Sequence, residues 1–545
     1  MLHRESGQDG SKDFHKITTT GKFLRDAVLV PFFLLFLLAT SCAEKGNPNK
    51  DLQLSDYDSL RVGDYVVSAR KVRQEIDRLM SADPVCCQAD RFLRTYYRGG
   101  GPMVWVNRLG VDTRADSLLA QLAGVRQMGF APQRFGVAEI AADLRRAREL
   151  HFDDGRNQAS RVFARLEYYL TRGYLRYVVG QRFGFVDANT VYNRLDVKDS
   201  DSFGVTYQPL MDVRVERPRA AFYQEAFNKV ACDSLVEFMR EVQPRNPLYY
   251  KLQAGLHGAL ARQYGRRLVL ANMERMRWRL PDETYSHERY VLVNIPSFHL
   301  LARDNDQLLS MRMGCGSTKT KTPLIVSTIT RVDVNPQWIV PRSIVKGSIA
   351  HHAGSASWFA AHRYFVRERQ SGRQVPVGQV SADMLLSGAY LVVQEGGAGN
   401  SLGRIIFRFD NGQSIFLHDT PHRGVFSQAD RDVSHGCVRL ERPFALARFL
   451  LGDGQRETVD RIGYSIQADV SPLGKDPQTL SAQQQAVLDT LDRRRLVGQV
   501  KVSPAVPIFI LYYTLYPRAD GSGWESYRDV YGYDAPILER IQHFM

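Results

Sequence analysis

The segment "FLHDTPHRGVFSQADRDVSHGCVRLERP", Phe416 to Pro443, gathers three histidines, one cysteine and several arginines and aspartates in one stretch. A nucleophilic cysteine needs a general base, stabilisation of its thiolate and donors for an oxyanion. This segment can supply all three. Ile415, Phe416 and Leu417 read as a strand, so His418 stands at a strand end, where a scaffold can aim it. Gly436 beside Cys437 permits a tight turn in which the N–H groups of His435, Gly436 and Cys437 face one point. "PFALARFLLGD", from Pro443, reads as a helix, and Arg439 lies two residues from Cys437. A helix N-terminus and a nearby cation both depress a thiol pKa, which makes Cys437 the expected reactive thiol.

Zinc could use His418, His435 and Cys437. His435 and Cys437 are two residues apart, however, an unusual spacing for zinc, and no second cysteine or H-x-x-x-H partner accompanies them. No metal is therefore expected. A disulfide would bury this thiol among polar, positive groups, and an inert buried cysteine would sit in an apolar run. The chain has six cysteines, Cys42, Cys86, Cys87, Cys232, Cys315 and Cys437. They include no C-x-x-C pair and are too few for a disulfide scaffold. Pairing among Cys86, Cys87, Cys232 and Cys315 stays open.

The elements around the segment predict an α+β chain. Its 545 residues suit two or three domains. From about residue 57 to 285 the periodicity is mostly helical. "ADSLLAQLAGVRQMGF" puts Leu118, Leu122, Val125 and Met128 on one face, and "ASRVFARLEYYLTRGYLRYVV" does so with Val162, Leu166, Leu170 and Tyr177. "NMERMRWRLP" reads as a last helix ended by Pro281. From 288 to 470 the pattern is mainly β, with a hairpin around "ARDNDQ" and a two-residue hairpin signal at Asn411-Gly412. Residues 342–390 interrupt it and are long enough for an inserted lid, with Trp358 and Tyr364 as candidate substrate-facing residues. A C-terminal extension, 471–545, has a helical stretch near "SAQQQAVLDTLDRRR" and a hairpin around Ala519-Asp520-Gly521.

At the N-terminus, basic Lys22 and Arg25 precede an apolar run from Ala27 to Ala39, then Thr40-Ser41-Cys42. The run is short of the roughly 20 residues a spanning helix needs and reads as the core of a signal peptide. Its end resembles a bacterial lipobox, which implies a signal over 1–42, acylation of Cys42 and a tether over 43–56. A plain uncleaved anchor is the alternative. Either way the bulk of the chain is exported. Net charge is +14, with 72 Lys+Arg against 58 Asp+Glu spread along the chain. That excess does not by itself choose between nucleic acid, a polyanionic envelope and an acidic substrate.

"SHGCVRL" preceded by "HDTP" resembles the signature of the L,D-transpeptidase catalytic domain, in its long periplasmic form with a helical scaffold domain. "VNIPSFHL", Thr322-Pro323, "NPQWIVP", "GNSLG", "LGVDTRADSLLAQLAGVRQMGFAPQRF" and "VYGYD" are similar to words of that family. The loop before Asn400 departs from it: Val393-Gln394-Glu395-Gly396-Gly397 stands where the family has "RQ-x-PG". The resemblance implies Cys437 as nucleophile and His418 as base and acid. The Asp419 carbonyl would orient the ring, with the Asp419 side chain as competitor for that task. Gly436 and Cys437 N–H groups would form the oxyanion hole, and His435 would serve the turn or the oxyanion. Arg439, Ser434 and Asn400 join Trp358 and Tyr364 as candidate substrate-side residues.

The implied reaction is acyl transfer between peptidoglycan stem peptides, through a thioester to a 3→3 cross-link. It needs no cofactor, no metal and no nucleic acid. Its place would be the periplasm-facing side of the bacterial envelope, with a lipid anchor in the membrane. Water or a protein amine could replace the stem amine as acceptor. A non-catalytic envelope scaffold is a further alternative. A papain-like protease fits poorly, because His418 precedes Cys437 and no long helix opens at the cysteine. Between His418 and His435, the former is favoured. A ring on an adjacent strand can meet the sulfur at ~3–4 Å, whereas a residue two positions away on a tight turn rarely does.

Overall fold

The computed structural model describes residues 61–545, apart from 63–64, 108–109, 154, 202–203, 476–477 and 479. The expected signal peptide, Cys42 and the tether lie outside the described residues. No described helix is long and apolar enough to cross a membrane.

The N-terminal half is helical and built around α1 (Ala159–Phe183). Its expected stripe of Val162, Leu166, Leu170 and Tyr177 is buried, but so is most of the rest of the helix, because neighbouring helices and strands cover its other faces. The polar residues this encloses are partnered, as burial requires. The fully buried Glu167 carboxylate accepts from Tyr97 Oη at 2.6 Å and from the N–H groups of Val104, Trp105 and Val106 at 2.6–3.0 Å. Arg176 pairs with Asp90 at 2.7 Å. The same region contributes a short strand, β1 (Met211–Asp212), and α2 (Arg266–Arg277), which turns extended at Trp278, ahead of Pro281.

The mainly β half starts with the meander β2 (Arg289–Asn294), β3 (His299–Asp304) and β4 (Gln307–Gly316), followed by β5 (Leu324–Val334). β3 and β4 turn at Asn305-Asp306, within "ARDNDQ". The inserted subdomain supplies β6 (Trp338–Ile339), β7 (Tyr364–Glu368), β8 (Gln374–Val375) and β9 (Tyr390–Gln394). Then come β10 (Ile405–Phe409), β11 (Leu417–His418), β12 (Asp432–Ser434), β13 (Val438–Leu440), α3 (Pro443–Leu451) and β14 (Gln499–Leu511). The order in the main sheet is β10-β11-β13-β4-β3-β2-β14-β5-β1, with β12 against β4. A β5–β10 pairing closes the sheet on itself.

Three expectations need correction. Residues 471–545 are not an appendage: β14 lies between β2 and β5, parallel to β2 through Ile508↔Val291 and Ile510↔Val293. Its residues Ile508 to Leu511 are buried at every position, as in a strand covered on both faces. Nor is the boundary near residue 285 clean, since β1 extends the sheet along β5. Asn272 and Arg275 on α2 hold Thr514 and Asp534 at 2.9 and 2.6 Å, and Phe544 is fully buried against Phe130 and Phe185. Asn411-Gly412, finally, is not a two-residue hairpin turn. The Asn411 side chain accepts from the N–H groups of Gln413 and Ile415 and donates to the Ile415 carbonyl, folding a longer loop between β10 and β11.

The insertion is an ordered subdomain rather than a long loop. Its small sheet runs β6-β9-β7-β8. It has its own apolar core, which includes Val345, Phe359, Val366 and Leu385.

Candidate active site

β11 and β13 run parallel, with Leu417↔Val438 and His418↔Arg439 in register. His418 therefore lies one strand over from the strand that Cys437 opens. Its side chain is buried, and Nδ1 lies 2.5 Å from the Asp419 carbonyl. The Asp419 carboxylate is occupied elsewhere, accepting from Arg404 N–H at 2.9 Å and pairing with Arg423 at 3.1 Å. Burial lowers the His418 pKa to about 4. The Asp419 and Leu402 carbonyls favour the charged ring, and the Arg439 charge opposes it. The ring is thus neutral at neutral pH, as a proton acceptor must be.

The turn carrying Cys437 is fixed by its own polar atoms and by a neighbouring loop. Gly436 has φ +117°, and a Cβ there would come within 3.1 Å of Ile415, so glycine is required. Ser434 is buried; its Oγ donates to the Cys437 carbonyl at 2.5 Å and accepts the Gly436 N–H at 3.1 Å. Gly436 is therefore not an open oxyanion donor in this arrangement, and Ser434 braces the turn instead of facing substrate. Thr322 Oγ1 donates to the Gly436 carbonyl at 2.7 Å, and Thr320 Oγ1 to the Ser434 carbonyl at 2.9 Å. Thr322 N–H in turn donates to Tyr531 Oη at 3.1 Å, and that hydroxyl donates to the Gly316 carbonyl at 2.6 Å.

The Cys437 thiol donates to the Ser414 carbonyl at 3.9 Å, and no hydrogen bond joins it to His418 among the described residues. The expected depressed thiol pKa is also not found. Burial raises it, outweighing the Phe416 N–H and the charges of Arg439 and Arg408, which favour the thiolate. The reason is position: β13 and the Glu441-Arg442 pair separate Cys437 from α3, and the sulfur is half-buried under strand residues. The resting pair is a neutral thiol and a neutral imidazole. His435 is exposed on the turn.

A cavity of about 500 Å³ opens on Cys437. Ser414, Phe416 and Arg408 line it from the main sheet and its loops, and Trp338, Leu385 and Tyr390 line it from the inserted subdomain. None of the five predicted substrate-side residues, Arg439, Ser434, Asn400, Trp358 and Tyr364, is among its lining. Asn400 is fully buried, donating to the Pro336 and Glu395 carbonyls and accepting the Leu402 N–H. It braces the loop whose sequence departs from the family. Trp358 is sandwiched between His352 and His362, at 4.1 and 4.0 Å between ring centroids, and Tyr364 packs nearby on the same subdomain core. Aromatic side chains in an insertion suggested recognition; the subdomain uses these two for its own packing. Arg439 is half-buried, with its Nε unpartnered among the described residues. Among the described residues no cluster of His, Cys, Asp or Glu could hold a metal ion. Cys86, Cys87, Cys232, Cys315 and Cys437 form no disulfide.

Sequence reasoning missed Thr322 and Tyr531. Both lie in words that resemble the family, "TP" and "VYGYD", but the first is far from Cys437 in sequence and the second far from both, so neither word carries a role until the chain folds.

A closed sheet with a histidine on one strand and a cysteine opening the neighbouring strand, beside an inserted subdomain, is an arrangement compatible with cysteine-dependent acyl transfer. Residues 288–465 match the family model of the L,D-transpeptidase catalytic domain, and residues 90–256 match that of the Scaffold domain. Over residues 288–465, about a third of the chain, the sequence is thus similar to the L,D-transpeptidase catalytic-domain family, and residues 90–256 ahead of it are similar to a scaffold domain. A Haemophilus influenzae protein named "Putative L,D-transpeptidase" is 28% identical over 251 residues, 45% of this chain. The match spans 50% of that protein, about half its length. An L,D-transpeptidase from Mycobacterium smegmatis aligns at 13% identity over 41% of this chain and 58% of its own, with a TM-score of 0.17. The Ldtfm-avibactam carbamoyl enzyme aligns at 10% over 47% and 69%, also at 0.17. At those scores neither superposition adds to the argument.

Proposed function

We propose that the protein is a peptidoglycan L,D-transpeptidase that forms 3→3 cross-links through a Cys437 thioester. The observation that carries this reading is the pairing of β11 with β13. It sets a neutral, carbonyl-anchored His418 one strand from Cys437, which lines the cleft. With donor bound, the thiol turns from the Ser414 carbonyl and gives its proton to His418 as sulfur attacks the carbonyl of the third stem residue. The tetrahedral oxyanion draws on the backbone N–H groups of His435 and Cys437, the Gly436 N–H being held by Ser434 Oγ. His418 then protonates the departing D-alanine amine and leaves a thioester. The side-chain amine of a second stem loses its proton to His418 and attacks the thioester, restoring the thiol.

The test uses the full mature chain. A carbapenem should add covalently to Cys437, located by intact mass and peptide mapping. Stem peptides should then give a 3→3 dimer and free D-alanine. No adduct on Cys437 would overturn the reading. Adduct formation with D-alanine release but no dimer would assign water as acceptor, an L,D-carboxypeptidase. Transfer to a protein amine would assign lipoprotein attachment. The chain is further proposed to be held at a membrane by an acylated Cys42, facing the periplasm. Support comes from the short apolar run ending at Ser41-Cys42. Cys42→Ala should release it from membranes or trap the precursor; unchanged membrane retention would mean a plain anchor.

A further inference from the structure

The cleft that Cys437 lines also carries two arginines from separate stretches of the insertion. Arg342 follows β6 and Arg369 follows β7. Both line the same cavity as Cys437. Both are tethered to one stretch, Arg342 to the end of the helix Ala382–Ser387 and Arg369 to the turn that links it to β9. Arg342 Nη2 donates to the Leu386 carbonyl, and Arg369 Nε donates to the Gly388 carbonyl at 2.8 Å. Those are the only side-chain hydrogen bonds either makes among the described residues, so each guanidinium keeps the rest of its donors. Gly388 is itself close to the first of them: a Cβ built there would lie 3.9 Å from Arg342 Nη1.

Two guanidinium groups gathered on one turn repel each other. A carboxylate between them would normally relieve this, but neither forms an ion pair with an acid among the described residues. The nearest acid in sequence, Glu368, accepts from Ser371 Oγ instead. A third arginine in the cavity, Arg408, is already used, paired with Asp333 at 2.7 Å and stacked on Phe416 at 4.3 Å. The remaining lining near the two free forks is largely apolar, with Val340, Val345, Leu385 and Tyr390. A planar carboxylate on a peptide matches an arginine fork bidentately, and both arginines are exposed, so their forks are open to such a group.

We infer that Arg342 and Arg369 form a carboxylate-binding subsite that receives the free C-terminal carboxylate of the acyl-donor peptide. The inference rests on the proposed acyl-transfer reading and names the group that the insertion recognises. The arginines contact the leaving portion of the donor and take no part in bond making. The subsite selects donors that still carry a terminal carboxylate, and it lets the insertion hold the scissile bond over Cys437.

The experiment compares two synthetic donors, each ending in a diamino acid and D-alanine. One has a free C-terminal carboxylate and the other a C-terminal amide. Their kcat/KM values for D-alanine or D-alaninamide release are measured for the wild type, for Arg342→Gln/Arg369→Gln and for Arg342→Lys/Arg369→Lys. Circular dichroism and thermal unfolding check the fold of each variant. The wild type should prefer the free acid by roughly tenfold or more, as expected for one well-placed charged contact. The Gln pair should lose that preference through a raised KM for the acid, with the amide little changed. The Lys pair should keep part of it. An equal fall with both donors would show a structural role for the arginines only and overturn the subsite. So would a preference that survives in the Gln pair. If the wild type releases nothing from either donor yet forms no carbapenem adduct, the acyl-transfer reading itself has failed. If it forms the adduct but shows no acid preference, only the subsite has failed.

Discussion

Thr322 Oγ1 donates to the Gly436 carbonyl at 2.7 Å, so the turn that presents Cys437 hangs on a residue far away in sequence. Thr322 is completely buried and also accepts the Gly316 N–H at 2.8 Å. Thr322→Val keeps the shape and removes both contacts. It should lower the acylation rate by about 10–100-fold, as misplacement of a reacting group by a fraction of an ångström does. Tyr531→Phe removes the next link and should lower it less. Stopped-flow acylation by a β-lactam, with circular dichroism as control, checks both. Wild-type rates in folded Thr322→Val would remove the positioning role.

Cys437→Ala should abolish the covalent adduct and leave thermal unfolding close to wild type. His418→Ala should slow acylation by about 10²–10⁴-fold, the usual worth of a general base. His435→Ala should matter far less, since that ring is exposed. Native alkylation should mark the exposed Cys232 before Cys437, whose thiol pKa is raised by burial, and should spare Cys315, pushed up to about 12. Mass mapping of a short iodoacetamide pulse gives the order. Fastest labelling at Cys437 would mean that the resting sulfur is a thiolate after all.

The low pKa of His418 fixes the sign of two pH effects. The ring accepts a proton from the thiol only when neutral, so kcat/KM should fall on the acid side near pH 4 rather than near 6.5. Arg439 opposes the charged ring, so Arg439→Gln should move that limb upward. For stability, the unfolded chain protonates this histidine near 6.5 and the folded chain near 4. Between those values the unfolded state holds more protons, so stability falls as pH drops from about 6.5 towards 4. His418→Gln should flatten that part of the curve in urea titrations at several pH values. An acid limb of acylation near 6.5 in wild type would contradict the neutral-pair description.

Asn400→Ala distinguishes a brace from a substrate contact. It strips partners from two half-buried carbonyls and one buried N–H, which costs about 2 kcal/mol. The melting temperature should fall, while KM for the donor in the surviving folded enzyme stays near the wild-type value. A large rise in KM without destabilisation would return Asn400 to the substrate side.

The insertion should respond to acylation if it moves over the cleft. Limited proteolysis within 342–390, with and without the carbapenem adduct, gives the comparison. Protection is expected, because Trp338, Leu385 and Tyr390 share a cavity with Cys437. An identical cleavage pattern would leave the subdomain as a fixed wall.

Much of this molecule was legible in sequence because local rules governed it. Gly436 beside Cys437 called for a tight turn, and the chain there has a positive φ that only glycine adopts without strain. "ARDNDQ" between apolar runs gave the β3–β4 hairpin, and Pro443 opened α3. The helical and β halves followed from a change in hydrophobic period. What the sequence could not decide were properties set by distant atoms. The Cys437 thiol sits near a helix and an arginine in sequence, yet burial among strands outweighs both. Asn400, Trp358 and Tyr364 are residue types that bind substrates or fill cores equally well, and only packing assigned them to cores and braces. β14 reads as one more apolar strand; that it completes the sheet between β2 and β5 depends on a long-range pairing that no local pattern encodes. Thr322 comes to link Gly436 with Tyr531 for the same reason: each residue type carries its own hydrogen-bonding groups, and the tertiary fold decides which of them come within reach.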